Sequence, residues 1–144
     1  MTSNFTNIVE ERDVDKILFT PDNNGVTQYE EWSPIRGYEG IYEVSSFGRV
    51  KSLKRYNMKS DVISKLMFKQ NYYTVHLSKN DVKTGFRVHQ LVCIGFLNHT
   101  PNGFTTVCDH KNNIKTENFI WNLQLISNRE NSSKDSVNKS GALS

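Results

Sequence analysis

At 144 residues with two cysteines, the chain is the size of one domain, or of two small ones that share a core, and its thiols are too few and too widely spaced for a structural zinc site. It holds neither a signal-peptide pattern nor a transmembrane run, so the expectation is a soluble intracellular protein in which Cys93 and Cys108 stay reduced as small core residues. The formal net charge of +3 is unevenly spread: residues 1–31 carry seven acids against two bases, a net of −5, which leaves +8 on the rest and a basic body suited to a polyanion.

Residues 1–31 read as an acidic N-terminal extension. Apolar islands at Ile8-Val9 and Ile17-Leu18-Phe19 allow one short helix from Val9 to Leu18, and Pro21-Asp22-Asn23-Asn24-Gly25 gives a turn or linker signal. The plain expectation is a loosely ordered terminus. The alternative is an acidic lead that shields the basic body until a polyanion displaces it.

Residues 32–98 are dense in aromatics and glycines at their start. Residues 41–45 alternate apolar with polar and read as a strand, Ser46-Phe47-Gly48 as a turn, and residues 49–53 as the returning strand. On that strand Arg49 and Lys51 share one face while Val50 enters the core, with Lys54 and Arg55 just beyond. Residues 66–68 and 72–78 read as further strands of the same antiparallel sheet, followed by a turn that starts at Lys79-Asn80-Asp81 and is completed by Lys83-Thr84-Gly85. Residues 89–97 are apolar nearly all round and predict a buried helix. His76 and His89 are expected to be structural or to touch phosphate, and His99 has no assigned role.

Residues 99–137 carry the chemistry. A β-branched run at residues 105–108 predicts a strand that ends on Asp109-His110, an Asn-rich loop spans residues 111–118, and residues 121–126 suit a second strand. Ser127 to Glu130 forms a capping box, which puts Asn131 in the first turn of a helix. One carboxylate and one amide oxygen suffice for an ion such as Mg²⁺, which keeps several waters, and a histidine with an ordinary pKa of about 6.5 suits a base that takes a proton from water. The set Asp109, His110 and Asn131 therefore points to metal-assisted phosphodiester hydrolysis.

Asp109-His110, Asn118, Asn122-Leu123 and residues 127–131 resemble the signature of HNH endonucleases with a ββα-metal site, in the variant found in phage and intron-encoded homing nucleases. Upstream, the pattern W-x-x-I-x-G-Y-E-G-x-Y-x-V-S-x-x-G-R-V-x-S from Trp32 to Ser52 resembles a modular DNA-binding motif that often precedes such cores. The resemblance implies an α+β fold, with an N-terminal antiparallel sheet region followed by a helix and a ββα-metal core of the His-Asn-His type. It implies that His110 is the general base, that Asn122 braces the loop, that Asp109 and Asn131 hold a divalent ion (Mg²⁺, or Mn²⁺), and that Asn118 supports the site. Beside such a core, Arg49, Lys51, Lys54 and Arg55 are expected to contact DNA. The family's acidic-glycine turn after the histidine is replaced by Lys111-Asn112-Asn113, which remains feasible because Asn tolerates the left-handed region.

The expected function is thus a metal-dependent endonuclease or nickase of the homing type, acting on double-stranded DNA as a monomer, with no membrane partner. Its expected place is the cytoplasm of a bacterial host, at the nucleoid during phage infection. The alternative is a catalytically silent DNA-binding or regulatory module that keeps the nuclease fold. Residues 138–144 read as a flexible tail, and the Ser- and Lys-rich stretch after Asn131 is too short for a helix-turn-helix. Site recognition is then expected to rest on the sheet, to be weak, or to come from another protein.

Overall fold

Short alternating segments separated by Gly, Asn and Asp turns produce short strands. The fold, given by a computed structural model, is accordingly a set of small antiparallel sheets around one helix, described for residues 18–101 and 106–127. In chain order the strands are β1 (Phe19–Pro21), β2 (Thr27–Tyr29), β3 (Trp32–Pro34), β4 (Tyr42–Ser45), β5 (Val50–Ser52), β6 (Val62–Ile63), β7 (Met67–Lys69), β8 (Tyr72–Lys79) and β9 (Val82–Arg87). The helix α1 (Val88–Phe96) follows, then β10 (Thr106–His110), a 3₁₀ turn (Ile120–Asn122) and β11 (Leu123–Ser127). The sheets are β1-β2, β3-β4-β5-β6, β7-β8-β9 and β10-β11. The region read as one sheet is therefore two, because β7 pairs with β8 and not with β6, which closes the β3-β4-β5-β6 sheet.

Two tight turns explain the eight-residue β8. Gln70 and Asn71 precede it with φ of 53° and 72°, and Asn80 and Asp81 follow it with φ of 52° and 65°. Two central residues at positive φ give the turn whose twist matches a hairpin, and Asn and Asp accept that conformation best after Gly. The turn after β8 therefore ends at Asp81, and Lys83, Thr84 and Gly85 lie in β9 instead of completing a longer loop.

α1 lies at the centre and packs against β3, β4, β8, β9, β10 and β11. Val88, Leu91, Val92 and Cys93 meet Ile35, Tyr42, Val44, Val50, Val75, Leu77 and Leu123 in one buried cluster. Each fully buried Val or Leu contributes roughly 1.5–3 kcal/mol, which makes this cluster the main source of stability. Gly95 lets the helix close on the sheet: a Cβ there would stand 3.2 Å from Ser33 Oγ and 3.3 Å from Val44 Cγ1.

The described part of the acidic lead is not loose. β1 and β2 form a hairpin about an Asp22-to-Gly25 turn, Leu18 is buried, and Glu30 is buried in an ion pair with Arg49. The helix expected from Val9 lies outside the described residues, as do the helix after Ser127 and the tail. The cysteines also depart from expectation. Because α1 packs on the β10-β11 hairpin, the Cα atoms of Cys93 and Cys108 lie 6.3 Å apart, within disulfide range, and their sulfurs are bonded instead of reduced.

Candidate active site

The β10-β11 hairpin sets the register of the site. Asp109 faces Gln124 across the ladder and His110 faces Leu123. The strand runs through His110 and stops there, since the next amide, Lys111, bonds the Asn122 carbonyl at 2.7 Å and the chain turns away. Asp109 is half-buried and its Oδ2 accepts a hydrogen bond from the Gln124 amide at 2.8 Å. His110 is buried, and its Nε2 lies 2.8 Å from Asn118 Oδ1.

The loop between the strands is tied by amides. Asn122 Nδ2 donates to Asn112 Oδ1 at 3.0 Å and to the Glu117 carbonyl at 2.8 Å, while Asn122 Oδ1 accepts the Asn112 amide at 3.3 Å. Asn112 in turn receives the Ile114 amide on Oδ1 and donates to Glu117 Oε1. Asn113 takes φ of 64°, the left-handed turn that the Lys111-Asn112-Asn113 sequence allows. Asn122 is the last residue of the 3₁₀ turn, so β11 begins at Leu123 and not at Trp121. A side chain pointed back into the loop cannot also alternate along a ladder.

Two further residues stand beside His110: His89, expected to be structural or to touch phosphate, and Tyr72, to which the sequence assigned no role beyond its strand. The His89 ring centroid is 4.9 Å from that of His110, and Tyr72 stacks on His89 at 5.0 Å while lying 6.3 Å from His110, so the three rings form one cluster. His89 is buried, which pushes its pKa down to about 3, helped by the nearby His110 and Arg87 and opposed by Asp109. It is therefore a neutral aromatic wall at ordinary pH. Arg87 Cζ lies 4.1 Å and Lys115 Nζ 5.2 Å from the Tyr72 ring centroid, so two exposed cations rim the same cluster. His89 is the second residue of α1, which follows β9 directly, and that adjacency of strand and helix places it beside the β10-β11 hairpin.

The basic strand face is placed differently from expectation. Arg49 donates from Nε at 2.8 Å and Nη2 at 2.6 Å to the Glu30 carboxylate, with both side chains buried. Lys51 lies 4.2 Å above the Trp32 ring, and its Nζ is 3.7 Å from Glu43. Arg55 Nη1 donates to the Ile41 carbonyl, Ser52 Oγ and the Leu53 carbonyl. Only Lys54 of the four is exposed. Three of these cations serve the protein's own structure, and the sequence concealed this because their partners lie on other segments.

Exposed cations gather instead on the outer face of β7-β8-β9. Val75 and Leu77 point into the core, so Tyr72, Thr74, His76 and Ser78 point out, and the register adds Lys69, Lys83 and Arg87 to their side. That face runs from the β8-β9 turn to Tyr72, and through Tyr72 and His89 it reaches His110.

Among the described residues no group of three or more His, Cys, Asp or Glu side chains could hold a metal by itself. Asn131, the second expected ligand, lies outside them. What is described, one half-buried carboxylate steadied by an amide, fits an ion that keeps most of its waters and takes further oxygens from substrate.

A two-stranded hairpin that ends on Asp-His, with an amide-braced loop and a buried histidine, is consistent with the HNH-type site that the sequence motifs resemble. The comparisons agree. Residues 30–78 match the NUMOD4 motif. The chain is similar to DNA endonuclease I-HmuI of Bacillus phage SP01, with 35% identity over 101 residues, 70% of this chain and 55% of that one. It is also similar to the uncharacterized HNH endonuclease L245 of Acanthamoeba polyphaga mimivirus, with 34% identity over 70% of this chain and 28% of the relative. A solved structure described as DNA binding and cleavage by the HNH homing endonuclease I-HmuI matches with a TM-score of 0.65 and 33% identity, covering 79% of this chain and 61% of that one. The chain thus spans little more than half of the SP01 relative, and the resemblance to HNH endonucleases read from its motifs holds in both sequence and fold.

Proposed function

We propose that the protein is a metal-dependent HNH endonuclease that hydrolyses phosphodiester bonds in duplex DNA, as a homing-type nuclease or nickase. The observation that carries this reading is the buried His110–Asn118 pair at the end of β10, next to Asp109 and walled by His89. Asn118 Oδ1 can only accept, so Nε2 of His110 carries the proton and the lone pair of the neutral ring sits on Nδ1. His110 then takes a proton from an attacking water whose oxygen bonds to phosphorus as the bond to the leaving 3′ oxygen breaks. Asp109, with Asn131, would hold Mg²⁺ or Mn²⁺, and the bound ion supplies stabilisation of the charge that builds on the phosphate and the leaving oxygen. Gln124 fixes the Asp109 carboxylate, and Asn122 keeps the loop from shifting the histidine.

Duplex DNA would lie along the outer face of β7-β8-β9, where Lys69, Lys83 and Arg87 meet phosphates and Lys115 completes the path to His110. The test is cleavage of plasmid DNA by purified protein with Mg²⁺ or Mn²⁺. His110→Ala should lower turnover by about 10²–10⁴-fold while leaving DNA affinity nearly unchanged, as expected for loss of a general base. Wild-type turnover in that variant removes His110 from the role, and binding without cleavage by the unaltered protein favours a silent DNA-binding module.

A further inference from the structure

The turn between β4 and β5, residues 45–49, is held on several sides. Ser45 Oγ accepts the amides of Phe47 and Arg49, each at 3.0 Å, and the Gly48 amide closes on the Ser45 carbonyl at 3.0 Å. Ser46 is bound twice to Glu31: its amide donates to the Glu31 carbonyl at 2.8 Å and its Oγ accepts the Glu31 amide at 2.9 Å. Arg49 is fixed by the buried Glu30 carboxylate. A turn this constrained is a rigid surface, and what it touches is the nuclease loop.

Three contacts join them. The Ser46 carbonyl accepts the Ile120 amide at 2.9 Å. Phe47 meets Phe119 and Trp121 edge-on, with centroids 5.5 and 5.6 Å away. Gly48, at φ of 87°, faces Asn118: a Cβ on Gly48 would come within 2.8 Å of Asn118 Cβ and 3.4 Å of its carbonyl oxygen. No real Cβ tolerates the shorter distance, and Asn118 Cβ is not the far end of a flexible side chain, so the loop itself would have to move. Asn118 is the residue that bonds His110 Nε2 at 2.8 Å.

We infer that the turn of residues 45–49 is a positioning element for the nuclease histidine: the missing side chain at Gly48 sets how deeply Asn118 docks, and Asn118 sets the orientation and tautomer of His110. The inference rests on the reading of His110 as general base. It gives the modular motif a second role, as the support on which the catalytic loop is seated. Gly48 touches no reacting atom and acts only through Asn118.

The test compares Gly48→Ala with Gly25→Ala in the whole protein. Both glycines have positive φ, 87° and 79°, but a Cβ at Gly25 meets nothing within 4 Å, so Gly25→Ala carries the backbone strain without the encroachment, and it lies outside the motif of residues 32–52. Gly48→Ala should lower kcat roughly 10–100-fold, the scale of an ångström-level misplacement, with DNA affinity held within about twofold. Gly25→Ala should keep the wild-type kcat. The Gly48→Ala, Asn118→Ala double variant should be no slower than Asn118→Ala, because the route through the amide is already lost. Nitrogen-15 spectra of the histidine rings should show His110 protonated at Nε2 in the unaltered protein and in Gly25→Ala, and a shifted or mixed tautomer in Gly48→Ala. Equal losses in the two glycine variants, additive losses in the double variant, or an unmoved His110 spectrum would overturn the inference. If the unaltered protein does not cleave DNA, the nuclease reading fails, and the ring spectra still decide whether Gly48 positions His110. If Gly48→Ala does not fold, Phe47→Leu, which removes the two edge contacts, should give the same spectral change and the same loss confined to kcat.

Discussion

At the scale of single residues, His89 has the most distinctive behaviour. Its pKa of about 3 in the fold lies below the roughly 6.5 of an unfolded histidine, so as pH falls the unfolded chain binds this proton first. Stability that is intact above about pH 6.5 is therefore drained between that pH and about 3, and none is gained above it. Thermal unfolding of His89→Gln should show a shallower decline of Tm on the acid side than the unaltered protein, with the two curves parallel above neutrality. Identical acid limbs would mean that His89 charges freely in the fold. Among the described residues His89 Nδ1 has no hydrogen-bond partner, which adds the cost of an unsatisfied buried polar atom to that of burying the ring. A protein keeps such a residue where an uncharged ring is wanted, and here the ring stands against His110.

At the scale of elements, two strand faces are candidates for the DNA contact proposed above. β5 carries Lys51 with Arg49, Lys54 and Arg55 around it, but Glu30, Trp32 and the carbonyls of Ile41 and Leu53 hold most of that charge inside the molecule. The outer face of β7-β8-β9 leaves its cations exposed. Replacing Arg87 and Lys115 together by Ala should flatten the log–log dependence of DNA affinity on salt by about one to two units, since each phosphate contact contributes a slope of roughly −0.9. Lys51→Ala should leave the slope unchanged. The reverse pattern would return the DNA path to β5. These outcomes also mark what could be read from the chain beforehand. The hairpin that ends on Asp109 and His110, the Asn122 brace and the buried helix were legible, because each depends on residues close in sequence. The Glu30–Arg49 pair, the stacking of Tyr72 on His89 and the docking of Gly48 on Asn118 join distant segments, and a local pattern carries no trace of them. The outer face of β8 was within reach, since its period-two alternation at Tyr72, Thr74, His76 and Ser78 is plain, although the charge around β5 is denser in the sequence.

At the scale of the whole molecule, α1 and the β10-β11 hairpin are joined covalently by Cys93 and Cys108, 15 residues apart. Closing a loop of that size restricts the unfolded chain by an amount equivalent to about 3 kcal/mol. Reductant, or Cys108→Ser, should therefore lower Tm by several degrees, measured by calorimetry with and without dithiothreitol. An unchanged Tm would mean that the two thiols stay reduced in solution. The contact between Gly48 and Asn118 has a different kind of consequence. On the reading proposed above, a recombination crossover between the turn of residues 45–49 and the β10-β11 hairpin would give the hybrid His110 without the surface on which Asn118 rests. Exchange should then preserve this turn and this hairpin as one heritable block, with the joints falling outside both.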